Sequence, residues 1–209
     1  MHPISSQNPW MSSPEKSEAK IVPLPTAWSQ LGEPELLLLF KDTTHRERAF
    51  REITERYQKR IYYHVRRILI DHEDSSDVVQ NTFIKVFVSL EAFRSDSQLF
   101  TWIYRIATNE AISFLKKKRN RFFVPLVDVE QVLSNKLNDD PLFNADKLER
   151  QLQLAILKLP EKQRIVFNMR YYDEVTYEDM STILGTSVGA LKASYHHAYK
   201  KIEKYLTGG

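Results

Sequence analysis

Seven residues near the C-terminus could do chemistry together. Ser187, Ala190, Lys192, Ser194, His197, Lys200 and Lys201 follow a turn centred on Gly185. Hydroxyl and imidazole groups can read base edges, whereas lysine ammonium groups mainly meet phosphate oxygens. Ser194 and His197 are the base-edge candidates, and Lys192, Lys200 and Lys201 the phosphate candidates. No arginine stands at the centre of this segment, so it offers no bidentate arginine readout. A second basic cluster is Lys116-Lys117-Lys118-Arg119 with Arg121, while acidic residues gather at 71–77 and 128–140. Two basic patches fit polyanion contact at two places. They also fit two solvated helix ends, because Lys and Arg favour C-terminal turns.

No enzyme constellation stands out. His64 and His72 are separated, and His196 and His197 are adjacent, pointing to different helix faces. There is no HExxH, phosphate loop, dinucleotide fingerprint or nucleophile elbow. The acids at 71–77 lack the alternating ligands of a calcium loop, and Glu73 reads as a solvated loop residue. The chain has no cysteine, which excludes disulfides, thiol catalysis and thiolate metal sites. The expectation is a non-enzymatic protein with no cofactor and no metal.

These residues need elements to position them. The 209 residues suffice for one large domain or two small ones, with 42% hydrophobic and 27% charged residues and a net charge of +3. The fold class expected is all-α: two small helical domains joined by a flexible linker, the second carrying a helix-turn-helix. Residues 1–34 read as a flexible arm, because Pro3, Pro9, Pro14, Pro23, Pro25 and Pro34 would each interrupt a helix. Trp10 and Trp28 are the arm's candidates for docking. Residues 35–120 form the first domain. It holds a short helix at Leu36–Phe40 and a longer one over Thr44–Ile70, with Phe50, Ile53, Tyr57, Ile61, His64, Val65 and Ile68 inward. After a polar break, a third helix is expected from Asp77 to about Leu90, capped by Ser76, with Val79, Phe83, Val86 and Leu90 inside. A polar loop over 93–98 precedes a helix over Leu99–Arg119, with Leu99, Ile103, Ile106, Ala107, Ala111 and Phe114 inside. Residues 121–146, with Pro125 and Pro141, form the linker. Residues 147–209 form the second domain, with a helix stopped by Pro160 and another over Glu161–Tyr171.

Thr176-Tyr177-Glu178-Asp179 opens the next helix as a capping box, with Asp179 reciprocating. Gly185 suits a left-handed turn and Ser187 caps the last helix, which Val188 and Leu191 anchor. That is helix-turn-helix spacing, and the last helix would enter a major groove by its N-terminal end. A helical hairpin that packs only on protein has the same spacing. No basic start followed by an apolar run marks a signal peptide, and the longest apolar stretch, Leu36–Phe40, is far too short to span a bilayer. A cytoplasmic protein without membrane insertion is expected.

Three segments in order resemble the extracytoplasmic-function group of bacterial RNA polymerase sigma factors, over about residues 35–207. They are Asp77-Val78-Val79-Gln80-Asn81-Thr82-Phe83-Ile84-Lys85-Val86-Phe87; Phe93 through Asn109, which includes Thr101-Trp102-Ile103-Tyr104-Arg105; and Leu159-Pro160-Glu161-Lys162-Gln163-Arg164 followed by Tyr177-Glu178-Asp179-Met180, Gly185 and Ser187-Val188-Gly189-Ala190-Leu191-Lys192. The resemblance implies that Asp77, Gln80, Asn81 and Ile84 bind core RNA polymerase. A polar stripe bordered by an apolar residue suits such an interface, and also an ordinary solvated face. It implies that Arg94, Ser95, Asp96, Ser97 and Gln98 line a pocket for a flipped base of the melted non-template strand. Arg105, Asn109, Ser113, Lys116 and Lys117 would serve the same minus-ten element, with Asn109 the best base contact. Trp102 either stacks on DNA or packs inside. The seven C-terminal residues would read the minus-thirty-five element. The family usually has an acid where Asn81 stands and commonly arginines where Ser194, His197 and Tyr199 stand.

The function implied is a sigma factor that binds core polymerase and directs promoter recognition, DNA melting and transcription initiation. Implied partners are core polymerase, double-stranded promoter DNA, the melted non-template strand and an anti-sigma factor. Chain features alone leave two alternatives: a stand-alone helix-turn-helix regulator with an N-terminal sensing domain, and an adaptor that never touches DNA.

Overall fold

The computed structural model describes residues 27–122 and 147–208. Among these are eight α-helices, two 3-10 turns and no strand, as the all-α reading requires. The N-terminal half holds α1 (Glu33–Lys41), α2 (Arg46–Leu69), α3 (His72–Ser89) and α4 (Leu99–Phe122). The C-terminal half holds α5 (Lys147–Leu157), α6 (Glu161–Tyr171), α7 (Tyr177–Leu184) and α8 (Val188–Thr207). Trp10 and residues 123–146 lie outside the described residues.

Two starting points differ from expectation. Pro34 sits in the first turn of α1 instead of breaking a helix; there its missing N–H costs no hydrogen bond. Just before it, Trp28 packs against His45 at 6.2 Å and beneath Arg48. α3 begins at His72, five residues earlier than Asp77. Ile70 closes α2 in the left-handed region at φ 64°, and Asp71 then caps α3 by accepting from the Asp74 amide at 2.9 Å. Ser76 is therefore inside the helix, its hydroxyl donating to the His72 carbonyl at 2.9 Å. The polar stretch is a helix start, because a cap and acids in the first turn are what the positive end of a helix favours.

The buried face of α3 is close to the one expected. Val78, Thr82, Phe83, Val86 and the following Leu90 are buried, whereas Val79 is only half-buried. Likewise α4 buries Leu99, Ile103, Tyr104, Ala107 and Ala111, together with Thr101 and Thr108; Ile106 and Phe114 are half-buried. The Thr82 and Thr108 hydroxyls donate to carbonyls one turn back, at 2.7 and 2.8 Å, which makes their burial tolerable.

The two halves pack on each other through α4 with α7 and α2 with α6. Val175, Met180, Ile183 and Leu191 join the apolar cluster that contains Ile53, Val65 and Ile103. At its edge Asp173, in the α6–α7 loop, reaches into the N-terminal half. Its carboxylate accepts from Arg67 Nη1 at 2.9 Å and from the Tyr104 hydroxyl, and lies 3.1 Å from His64 Nδ1. Burial pushes that carboxyl's pKa up, but the His64 hydrogen bond and charge, with Tyr104 and Arg67, outweigh it and hold it below the ordinary value. Tyr104 is pushed well above the usual phenol range, first by burial and then by Asp173.

Candidate nucleic-acid interface

The helix-turn-helix is built from its caps. The Thr176 hydroxyl oxygen accepts from the Asp179 amide at 3.1 Å. The Asp179 carboxylate does not reach back to the Thr176 amide, as a reciprocal box would. It accepts from the Thr176 hydroxyl at 2.7 Å and from Thr101 of α4 at 3.2 Å. Gly185 takes the left-handed turn at φ 62°, and Ser187 accepts from the Ala190 amide at 3.4 Å. Leu191, Ala198 and Ile202 anchor α8 from beneath, and Phe167 of α6 stacks on Tyr195 at 5.5 Å.

At about 3.6 residues per turn, Ser187, Ala190, Ser194, His197 and Lys201 share one stripe of α8. All are exposed except Ser194, which is half-buried. Lys201 also donates to Gln163 Oε1 of α6 at 3.0 Å. The other two candidates lie off the stripe: Lys200 beside it, and Lys192 about 140° around the helix from its nearer edge. The Lys192 ammonium lies 5.7 Å from the Tyr177 ring at the start of α7. Lys200 pairs with Glu203 at 2.8 Å, and that hydrogen bond raises the ammonium's pKa. Five predicted residues thus form one strip, with Lys200 beside it and Lys192 on another face of the helix. Small side chains and one imidazole at the centre suit close approach to base edges; exposed ammonium groups suit phosphates.

On α4, Arg105, Asn109, Ser113, Lys116 and Lys117 are all exposed. Lys118, part of the same basic run, is instead tied to Asp74 of α3. Arg94, Ser95, Asp96 and Gln98 are exposed in the loop before α4, and Ser97 is half-buried. Ser95 adopts φ 57°, a left-handed conformation uncommon for serine, as functional loops often hold. The Gln98 carbonyl accepts the Trp102 amide at 3.1 Å, which fixes the loop to the first turn of α4. Trp102 is half-buried and packs on Phe93 at 5.0 Å, so the packing role is present.

On α3, Asp77, Gln80, Asn81 and Ile84 are exposed along one stripe. The stripe continues one turn further to Val88, which is 75% exposed. Gln80, Ile84 and Val88 edge a groove of about 1020 Å³ whose floor includes Phe83 and Phe87 and whose far wall is Lys59, Tyr62 and Tyr63 of α2. Val88 and the α2 wall were not foreseen. Val88 was readable as the residue four after Ile84; the α2 wall follows only from how two helices pack. Exposed aliphatic groups beside a groove mark a binding surface more strongly than isolated ones. Among the described residues no helix is long and apolar enough to cross a membrane.

Comparison with known proteins gives the same order of parts. Residues 53–121 match the Sigma-70 region 2 model and residues 149–202 the Sigma-70, region 4 model. The ECF RNA polymerase sigma factor SigW of Bacillus subtilis is 29% identical over 166 residues, 76% of this chain and 89% of that protein. The RNA polymerase sigma-H factor of Pseudomonas aeruginosa is 30% identical over 170 residues, 77% of this chain and 87% of that protein. The ECF RNA polymerase sigma-E factor of Escherichia coli K12 is 30% identical over 167 residues, 75% and 86% of the two chains. Two solved structures share the fold. The sigma factor RpoE of Bartonella quintana, in complex with the anti-sigma factor NepR, superposes with a TM-score of 0.60 at 18% identity, covering 76% of this chain and 96% of that one. CnrH, in complex with the cytosolic domain of CnrY, superposes with a TM-score of 0.60 at 21% identity, covering 83% and 97%. The chain belongs to the extracytoplasmic-function group of RNA polymerase sigma factors.

Proposed function

We propose that this protein binds core RNA polymerase and directs promoter recognition, DNA melting and transcription initiation. The observation that carries the reading is the coexistence of three exposed surfaces in family order on one scaffold: the α3 stripe with its groove, the α4 stripe with its preceding loop, and the α8 strip. In this reading residues 35–120 hold core polymerase and the minus-ten element, residues 121–146 tether, and residues 147–209 hold the minus-thirty-five element. Asp77, Gln80, Asn81 and Ile84 contact core polymerase. A base leaving the duplex enters the loop Arg94–Gln98, while Asn109 reads a neighbouring base and Arg105, Ser113, Lys116 and Lys117 hold the non-template strand. Unstacking costs a few kcal/mol, which contacts to the extruded base and to phosphates offset, so binding energy drives melting without a nucleotide-hydrolysing site. The protein acts in the cytoplasm, on the nucleoid, and an anti-sigma factor is a proposed further partner; both structural relatives above were solved with a second protein bound. Run-off transcription with purified core polymerase on a genomic promoter library tests the function. The expected result is promoter-specific transcripts that require the protein. No specific transcript, with no core polymerase retained in a pull-down, would sink the reading.

A further inference from the structure

Helix α8 is anchored from beneath by Leu191, Ala198 and Ile202. At about 3.6 residues per turn, Gly189, Ala193, His196 and Lys200 form the stripe that points most directly away from those anchors. All four are exposed. This outermost stripe runs beside the predicted strip, with His197 on the shared edge and Lys192 on the other side.

Two features of the stripe fit an outside ligand better than the chain's own packing. Gly189 is helical and exposed, its φ is not positive, and a Cβ placed there would meet nothing within 4 Å. Glycine inside a helix is destabilising relative to alanine, so neither the backbone nor the packing of this chain calls for it. Bare backbone at Gly189, continued by the single methyl of Ala193, leaves room for close approach from outside. His196 comes next. Among the described residues its ring neighbour is His197, at a centroid distance of 6.1 Å, and neither imidazole is held by a hydrogen bond or an ion pair. The His196 ring faces away from α5, α6 and α7. On α8 itself Lys192 and Lys200 lie one turn to either side, and Lys200 is paired with Glu203. From the packed helices, Arg170 of α6 meets Tyr177 of α7 beside Lys192, Lys201 turns back to Gln163 of α6, and Lys158, just after α5, covers Tyr205.

Histidine is the side chain whose charge changes between about pH 5 and pH 8. A neutral imidazole offers one donor and one acceptor; an imidazolium offers two donors and a positive charge. The major groove presents paired acceptors on guanine edges, between walls of phosphate. Duplex DNA at this face therefore favours the imidazolium, and by linkage binding takes up a proton. The extra contact is present at the acid end and is lost as pH rises through neutrality.

We propose that His196 is a further minus-thirty-five contact, and that protonation of its imidazole tightens the grip on promoter DNA as pH falls. The proposal rests on the sigma-factor reading above.

The test uses holoenzyme assembled from the full chain and core polymerase. The probe is a fluorescent promoter duplex recovered by the run-off assay. Anisotropy at about pH 6 and about pH 8 gives a ratio of affinities for each variant, and the response of core polymerase itself is common to all of them. The wild-type ratio should exceed that of His196→Gln by roughly threefold to fivefold, the range of one exposed charge pair. His196→Lys, charged at both pH values, should flatten the ratio at the tighter level. His197→Gln should keep the wild-type ratio, whatever its own loss of affinity. Circular dichroism should show unchanged helix content for all three, because both rings are exposed. Equal ratios for wild type and His196→Gln overturn the proposal, as does a His196→Lys protein that binds no more tightly at the higher pH than His196→Gln. Promoter-specific transcripts with equal ratios sink this inference alone, whereas no specific transcript at either pH sinks the sigma-factor reading and this inference with it.

Discussion

Lys192 and His197 lie on the same helix but in different settings, and the difference predicts different losses. His197 is in the strip of α8 with Ala190 and Ser194, whereas Lys192 lies on another face of the helix, beside Tyr177. An exposed ammonium that meets a phosphate releases a counterion, so Lys192→Ala should weaken binding to all promoters alike. The slope of log affinity against log salt should fall by about 1. His197→Ala should leave the slope unchanged and relax preference at one base position. Fluorescence anisotropy on minus-thirty-five duplexes across a salt series separates the two; an unchanged slope for Lys192→Ala removes its phosphate role. Ser194, His197 and Lys201 were identifiable from their spacing. The engagement of Lys118 with Asp74, which withdraws it from the basic run, joins residues 44 positions apart and leaves no local trace.

At the scale of elements, legibility followed the sharpness of local punctuation. α6 spans Glu161–Tyr171 as expected, because Pro160 forces its start and its apolar positions repeat at helical spacing. The start of α3 was missed because a run of acids, serines and a histidine reads as a break, although Asp71 is a strong cap and the acids suit the helix dipole. Within the helix, Val78 is buried where Val79 was expected, while Phe83, Val86 and Leu90 are inward as expected. Asp71→Ala should cost about 1 kcal/mol of stability by urea unfolding. Ser76→Ala, at an exposed position within the helix, should cost well under half as much; equal costs would return the cap to Ser76. The same helix carries the proposed polymerase surface. Asp77→Arg and Val88→Glu should each lower affinity for core polymerase at least tenfold while leaving the melting temperature within a degree or two, because both side chains are exposed. A Val88→Glu protein that binds core polymerase normally would end the stripe at Ile84.

The packing of one half against the other lies furthest from the sequence. Two helical domains and their order were legible, but the Asp173 contact joins a turn residue to side chains 69 to 109 positions away. A turn aspartate looks solvated until the fold surrounds it. Its ionisation gives the packing of the two halves a definite pH signature. Asp173 titrates below its ordinary value of 3.8 in the folded chain, so its contribution is complete above that value and is lost as pH falls through the folded one. Tyr104 titrates well above its ordinary 10.0, so its contribution is complete below 10.0 and is lost only as pH rises through its elevated value. Between these limits neither group makes the packing of the two halves pH-dependent. Small-angle scattering against pH checks this. The radius of gyration should grow below about 3.8 and again at strongly alkaline pH. Tyr104→Phe should remove the part of the alkaline rise that its hydroxyl contributes. Asp173→Asn should remove the corresponding part of the acid rise. If both variants expand at the same pH values and by the same amounts as wild type, the carboxylate–phenol pair does not hold the halves together, and their packing rests on the other contacts between them, chiefly the apolar ones of Val175, Met180, Ile183 and Leu191.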